Sequence, residues 1–373
     1  MANYHLLLGK SLDFSQIQQD AAADVAPGHV LADLAQRLHA QIHHPGTERI
    51  STVDMILGRI ISTPQLWAWA HRLAPQLGAD DIVFTSGEDV GIPLATACRR
   101  QKDKPKIIVT AHNLDRPRGR GALALLRCGQ SVDLWLTNSQ QQRKFLQGYL
   151  HLPPARVPWI AEQTDSHFFR PAATPRVANA RPLIASVGLE QRDYRTLALA
   201  TADLEVDVRI SGFSHDAKAL ARAFPEPLPQ NMKQQFYPWT ELRQLYRQAD
   251  VVVVSLFEND FCAGLTTFLE ASACARPVVI TVSRGLTEYV AAPGVALQTR
   301  PGEVQSLREA IVRVLQNRTL ADELAGNAYQ QVLRQHTPEH WLDAVEKVMR
   351  SVADTGTILT LPQGAGQPPV GVP

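Results

Sequence analysis

Two short stretches of the second half carry residue types in an order suited to holding an anion. From Ala249 to Val290 the chain reads ADVVVVSLFENDFCAGLTTFLEASACARPVVITVSRGLTEYV. The apolar run Val251 to Val254 ends in a loop. Cys262, Ala263, Gly264, Leu265, Thr266 and Thr267 then lead into a helix that carries Glu270. The first N–H groups of a helix have no partner inside it, so a start built from Gly and two Thr is an anion cradle. A carboxylate one turn further on would repel a phosphate and suits a pair of hydroxyls instead, such as those of a ribose. The second stretch is Ser186 to Tyr194, SVGLEQRDY. Its apolar residues end at Gly188, where the backbone can approach a ligand closely. Arg192 then brings a planar fork of donors that matches a diphosphate. The bland alternatives are helix caps at Thr266 and Thr267 and a surface Arg192 paired with Asp193.

These residues need a strand–turn–helix frame, and the rest of the chain supplies it. Short apolar runs alternate with helical patterns, which predicts parallel α/β layers. In the first half the strands are expected at His5 to Leu8, Asp81 to Thr85, Lys106 to Thr110 and Leu134 to Thr137, with Ser51 to Ile56 a weaker candidate. Helices are expected over Val30 to Ile42, Thr63 to Leu77, Gly91 to Gln101, Gly119 to Cys128 and Ser139 to Leu150. The Pro- and Ala-rich segment Phe169 to Arg181 reads as a linker. A second α/β series follows, with strands at Leu183 to Val187, Val206 to Ile210, Gln235 to Tyr237, Val251 to Val254, Val278 to Ile280 and Val295 to Leu297. Its helices are expected at Asp193 to Ala202, Thr240 to Gln248, Thr266 to Ala275 and Ser306 to Leu315. A last helix, Pro338 to Val352, carries Trp341, Val345 and Val348 at helical spacing, and the Gly- and Pro-rich tail 354–373 reads as disordered.

Composition bounds the function class. The 373 residues suffice for two domains, and the formal net charge of +1 gives no support to a whole-protein nucleic-acid binder. Four widely spaced cysteines, Cys98, Cys128, Cys262 and Cys274, form no CxxC pair, which argues against a disulfide scaffold and for a reducing compartment. No leader and no membrane-length apolar run is visible, so a cytoplasmic protein is expected.

The arrangement resembles the donor-binding segment of the retaining, two-domain (GT-B) glycosyltransferases of family 4, the group 1 glycosyl transferases. Their signature is a Glu, seven residues, a second Glu, then small residues, Pro and a strand. Glu270, Ala271, Ala273, Pro277 and Val278-Val279-Ile280 match its second half, whereas Cys262 stands at the first-Glu position, with Glu258 and Asp260 just upstream. The resemblance implies an α/β GT-B fold of two facing Rossmann-like domains with parallel sheets. Residues 1–170 would form the acceptor domain, 181–337 the nucleotide-sugar donor domain, and the helix near 338–353 would cross back to the first. It implies transfer of a sugar from a nucleotide-diphosphate sugar to an acceptor, retaining and metal-independent, with no cofactor beyond the co-substrate. Glu270 would bind the ribose, Gly188, Arg192, Thr266 and Thr267 would surround the diphosphate, and Cys262, Ala263, Gly264 and Leu265 would line the sugar pocket. Arg192 and the helix amides would stabilise the charge that builds on the departing nucleoside diphosphate, with Arg195 as a second cation.

In the first half, His112 lies just past an apolar strand, where family members often carry a His near the sugar; there an imidazole could bond a hydroxyl or manage the acceptor proton. On that reading His112, Arg192 and Glu270 are the catalytic candidates, and Glu88 and Asn113 lie on the acceptor side. The alternatives for Glu88 and its neighbour Asp89 are acids at a helix N-terminus. His43-His44, His336 and His340 read as surface residues, and no DxD metal triplet is present. The basic loop Arg116, Arg118, Arg120 could rest on anionic lipid or hold a phosphorylated acceptor, against the default of a solvated loop. Two other functions stay open on the same fold: a catalytically silent nucleotide-sugar binder, and a GT-B epimerase or phosphorylase.

Overall fold

The computed structural model describes residues 2–174, 178–212, 220 and 222–355. The tail read as disordered therefore lies, from 356 on, outside the described residues. The chain divides into two compact units. Of the described residues, the first holds those of 2–14, 29–161 and 341–355, and the second those of 15–28 and 162–340. The first unit thus ends at Ala161 rather than near 170. Residues 15–28 join the second, where the Asp24 carboxylate meets Arg243 at 2.6 Å and Arg170 at 3.0 Å.

The first unit is built on five parallel strands: β1 (Asn3–Leu7), β2 (Gln41–His43), β3 (Asp81–Thr85), β4 (Lys106–Ala111) and β5 (Leu134–Thr137), in the order β2-β1-β3-β4-β5. Side chains alternate between two cores, as the period of a strand requires. Leu7, Val83, Val109 and Trp135 enter one, and Leu6, Phe84, Ile108 and Leu136 the other. Val345, Val348, Met349 and Val352 of the last helix, Pro338–Thr355, fill the second of these cores, and Trp341 meets Phe84 edge to face.

Two expectations fail here for local reasons. The helix from Val30 stops at Leu38, because His39 takes a left-handed conformation (φ 49°) and returns its N–H to Ala35 and Gln36; Gln41–His43 then pairs with β1 as a strand. Ser51 to Ile56 is no strand: Ser51 and Asp54 close a reciprocal capping box and start the helix Thr52–Ile60.

The second unit carries β6 (Leu183–Val187), β7 (Asp207–Ser211), β8 (Met232–Gln234), β9 (Val251–Val254), β10 (Val278–Thr281) and β11 (Leu297–Thr299). They form one parallel sheet in the order β11-β10-β9-β6-β7-β8. By position in the unit this is the Rossmann order 3-2-1-4-5-6, which reverses direction between its first and fourth strands, β6 and β9. The all-valine β9 is buried on both faces, as a central parallel strand must be. The third strand lies three residues earlier than expected, at Met232–Gln234 rather than Gln235 to Tyr237. The helix Arg318–Gln335, absent from the sequence expectation, starts from an Asn317 cap.

Candidate functional site

In an open parallel sheet, ligands bind beyond the carboxyl ends of the strands where the order reverses. Both chemistry-bearing stretches of the sequence end there in the second unit. β6 runs out through Val187 into Gly188, and β9 runs out into the loop that precedes the helix Leu265–Ala273. The two loops are zipped together: Asp193 N–H donates to Ser255 O at 2.9 Å and Phe257 N–H to Gln191 O at 2.9 Å.

Arg192 lies in this crevice, 3% exposed. Its Nε donates to Val187 O at 2.8 Å, Nη1 to Glu190 O at 2.9 Å and Nη2 to the Thr267 hydroxyl at 2.9 Å. Thr267 passes its own proton to Val187 O at 3.1 Å. A guanidinium has five N–H donors, so these bonds leave one hydrogen on each Nη. Burial lowers the pKa of Arg192, but a guanidinium keeps its charge at any ordinary pH.

Two glycines permit this packing. Gly188 sits at φ +98°, and a Cβ there would collide with the Arg192 guanidinium. Gly264 caps the helix Leu265–Ala273 at φ +88°, where a Cβ would come within 2.6 Å of Val254. At the helix start Leu265 N–H bonds Cys262 O and Phe268 N–H bonds Gly264 O. The N–H groups of Thr266 and Thr267 have no backbone partner among the described residues. Thr266 is exposed and Thr267 buried.

Glu270 lies further along the same helix, 7% exposed, and its Oε2 accepts from Tyr246 OH at 2.7 Å. Burial pushes its carboxyl up to about 7, against the pull of the Tyr246 hydroxyl and the Arg192 charge. Gly188, Arg192, Thr267 and Glu270 are thus brought into one neighbourhood. Cys262, Ala263, Gly264 and Leu265 are buried in the turn that opens the helix. Burial raises the Cys262 thiol pKa, and the Glu162 charge adds to the effect, so the position holds a neutral group. Upstream, Glu258 is exposed and Asp260 pairs with Arg284 at 2.7 Å. Arg195, expected as a second cation here, is exposed and bonds Phe224 O.

In the first unit the order reverses between β1 and β3. Glu88, after β3, accepts the N–H of His112 at 2.9 Å and of Asn113 at 3.1 Å, and His112 Nε2 lies 3.1 Å from Ser86 O. Glu88 therefore joins the loops after β3 and β4. His336 is not a surface residue: it is 2% exposed, its Nδ1 lies 2.7 Å from Glu162 O, and burial pulls its pKa down to about 4. Tyr246, the partner of Glu270, is the crevice residue the sequence hid. Nothing local marks one buried tyrosine of an amphipathic helix as the partner of a glutamate 24 positions away. A groove of about 650 Å³ runs beside the helix Trp239–Gln248, lined by Arg181, Asp207, Arg209, Tyr237, Glu241 and Gln244 among others, and includes none of the crevice residues.

Residues 161–317 match the family model described as glycosyl transferases group 1. Solved structures place the whole chain in the GT-B fold. A trehalose 6-phosphate synthase from Burkholderia multivorans aligns with a TM-score of 0.71 at 14% identity, over 96% of this chain and 100% of that one. A sucrose-phosphate synthase from Thermosynechococcus elongatus gives 0.67 at 16%, over 94% and 99%. Anabaena HepE, solved with UDP and glucose, gives 0.64 at 16%, over 93% and 99%. No curated protein matches the sequence.

Two outcomes test this crevice. Gly188→Ala adds a Cβ at positive φ against the Arg192 guanidinium and is expected to cost about 1–3 kcal/mol of stability. Denaturant unfolding beside wild type reads the loss. Glu270 gives a pH signature. Its folded pKa of about 7 lies above the ordinary 4.5, so the folded chain holds a proton that the unfolded chain releases. Its contribution is complete below about pH 4.5 and falls away as pH rises to about 7, by roughly 3 kcal/mol at most. Glu270→Gln is therefore expected to unfold at higher denaturant than wild type at pH 8 and to match it near pH 4.

Proposed function

We propose that the chain transfers a sugar from a nucleotide-diphosphate sugar to an acceptor, and that the second unit binds the donor. The observation that carries the reading is the buried Arg192, held at the strand-order reversal beside a helix start, with hydrogens left on both Nη atoms. The diphosphate would take those hydrogens together with the amides of Thr266 and Thr267. That positive field meets the charge developing on the departing nucleoside diphosphate, so the reaction asks for no metal ion. Glu270 keeps lone pairs beyond the one Tyr246 uses, and a ribose hydroxyl pair would fill them. Cys262, Ala263, Gly264 and Leu265 would border the transferred sugar. In the first unit His112 is the candidate to face the transferred sugar, and Glu88 and Asn113 form the acceptor-side candidates. UDP and glucose in Anabaena HepE support a nucleotide-sugar donor. Retention of the donor's anomeric configuration follows from the family resemblance.

Cys262 favours one second reading. A carboxylate there would give the sugar a charge-assisted hydrogen bond worth about 1.5–3 kcal/mol. A protonated thiol gives none, and a module that binds the donor without transferring its sugar is the consequence.

A thermal-shift screen against UDP-, GDP- and ADP-sugars tests the donor site, since a ligand of the folded state raises its apparent stability. One sugar nucleotide is expected to stabilise the chain, and silence with all three would contradict the reading. Hydrolysis of that donor in the absence of acceptor separates the transferase from the silent binder. Arg192→Lys keeps the charge and loses the fork. It is expected to weaken nucleoside diphosphate binding by about tenfold or more and nucleoside binding little; equal losses for both would remove Arg192 from the phosphates.

A further inference from the structure

The first unit carries an apolar helix face that the described residues leave uncovered. The helix Thr52–Ile60 packs inward through Leu57 and Ile60. It also turns Asp54 inside, where the carboxylate serves the Ser51 cap and meets His71 at 2.7 Å. The other side presents Val53, Met55 and Ile56, exposed by 57, 48 and 56%, with Ile50 exposed by 42% just ahead of the helix. With Thr52 and Arg59, Val53, Met55 and Ile56 make up the exposed side of this helix, a side that is ordinarily polar where a helix faces water.

The helix Pro117–Leu126 packs against this one. Arg118 ties the two together, its Nε donating to Ile60 O at 2.9 Å and its Nη2 to Gly58 O at 3.1 Å. This helix exposes Leu125 by 66%. The charges on these two segments that have no ion-pair partner among the described residues are basic, while the bordering acids Glu48 and Asp115 pair with Arg72 and Arg120. Arg49 precedes the first helix and Arg59 lies in its last turn, and Arg116, Arg118, Arg120 and Arg127 lie on or at the ends of the second. The only acid within 49–60 is the inward Asp54, and 116–127 contains none. Arg120 is paired with Asp115, whereas Arg49, Arg59 and Arg127 are exposed with no acidic partner among the described residues. The basic loop Arg116 to Arg120, read from the sequence as the contact itself, is thus partly a structural tie, and the apolar anchors lie on a helix expected to be a strand.

We propose that this face docks the first unit onto an anionic lipid bilayer. Val53, Met55, Ile56 and Leu125 enter the headgroup boundary, and the surrounding arginines meet lipid phosphates. Uncovered apolar side chains beside unpaired arginines suit a surface of uniform negative charge. A protein partner would instead ask for a rim of mixed sign with satisfied polar pairs. The proposal does not depend on the donor reading.

Vesicle flotation of the full chain tests it. The chain is expected to float with phosphatidylcholine vesicles that contain phosphatidylglycerol and to stay behind with phosphatidylcholine alone. Added salt should weaken the binding, because screening acts on exposed charges. Val53→Asp with Ile56→Asp is expected to cut the bound fraction about tenfold or more, with far-UV circular dichroism unchanged because both side chains are exposed. If that pair disturbs the fold, Ile56→Trp decides: its emission should shift to the blue on the mixed vesicles only. Absence of flotation on anionic vesicles, unchanged flotation of the double variant, or an unshifted Trp emission would overturn the proposal. So would a lipid-free dimer that the double variant abolishes, since a second copy would then own the face.

Discussion

A cation sealed into the end of a parallel sheet sets the geometry of the second unit. Removing a guanidinium from water costs several kcal/mol unless hydrogen bonds replace the water. At Arg192 the replacements come from three separate places: the end of β6 through Val187, the turn through Glu190, and the helix Leu265–Ala273 through Thr267. One charge therefore fixes a strand, a turn and a helix to within the tolerance of a hydrogen bond. The absence of a side chain at Gly188 follows, because the guanidinium occupies that space. The same arrangement leaves a positive field at the mouth of the sheet, where the strand order reverses.

Glu270 answers that field from the same helix. Burial outweighs both the nearby charge and the Tyr246 hydroxyl, so the carboxyl holds its proton well above the usual carboxylate range. A ligand that offers hydroxyl donors would favour the carboxylate. A phosphate would oppose it. On the proposed reading, two neighbouring groups with opposite demands would sort the parts of one ligand, polyol at Glu270 and diphosphate at Arg192.

The parts of this design that are local in sequence were legible. Val251–Val254 reads as a buried strand because it is uniformly apolar, and Gly188 and Gly264 mark sharp turns where strands must give way to helices. Pro277 before Val278 and the Trp341, Val345, Val348 spacing likewise announce their elements. What depends on distant partners was hidden. Thr267 reads as a cap, yet its hydroxyl receives a bond from a residue 75 positions earlier. His336 reads as polar surface, yet Glu162 O takes it inside. Ser51 to Ile56 reads as a weak strand candidate, but a serine three residues before an aspartate starts a helix by capping.

The two sheets reverse their strand order by different routes, β2-β1-β3-β4-β5 in one unit and the Rossmann order in the other, and each reversal gathers the polar candidates of its own unit. The most direct measurement is a crystal structure of the chain with the nucleoside diphosphate that stabilises it. The account predicts the diphosphate within hydrogen-bond reach of both Arg192 Nη atoms and the Thr266 and Thr267 amides, with the ribose hydroxyls on Glu270. A nucleotide seated in the groove beside the helix Trp239–Gln248, with Arg192 and Glu270 bonded only to protein, would contradict it.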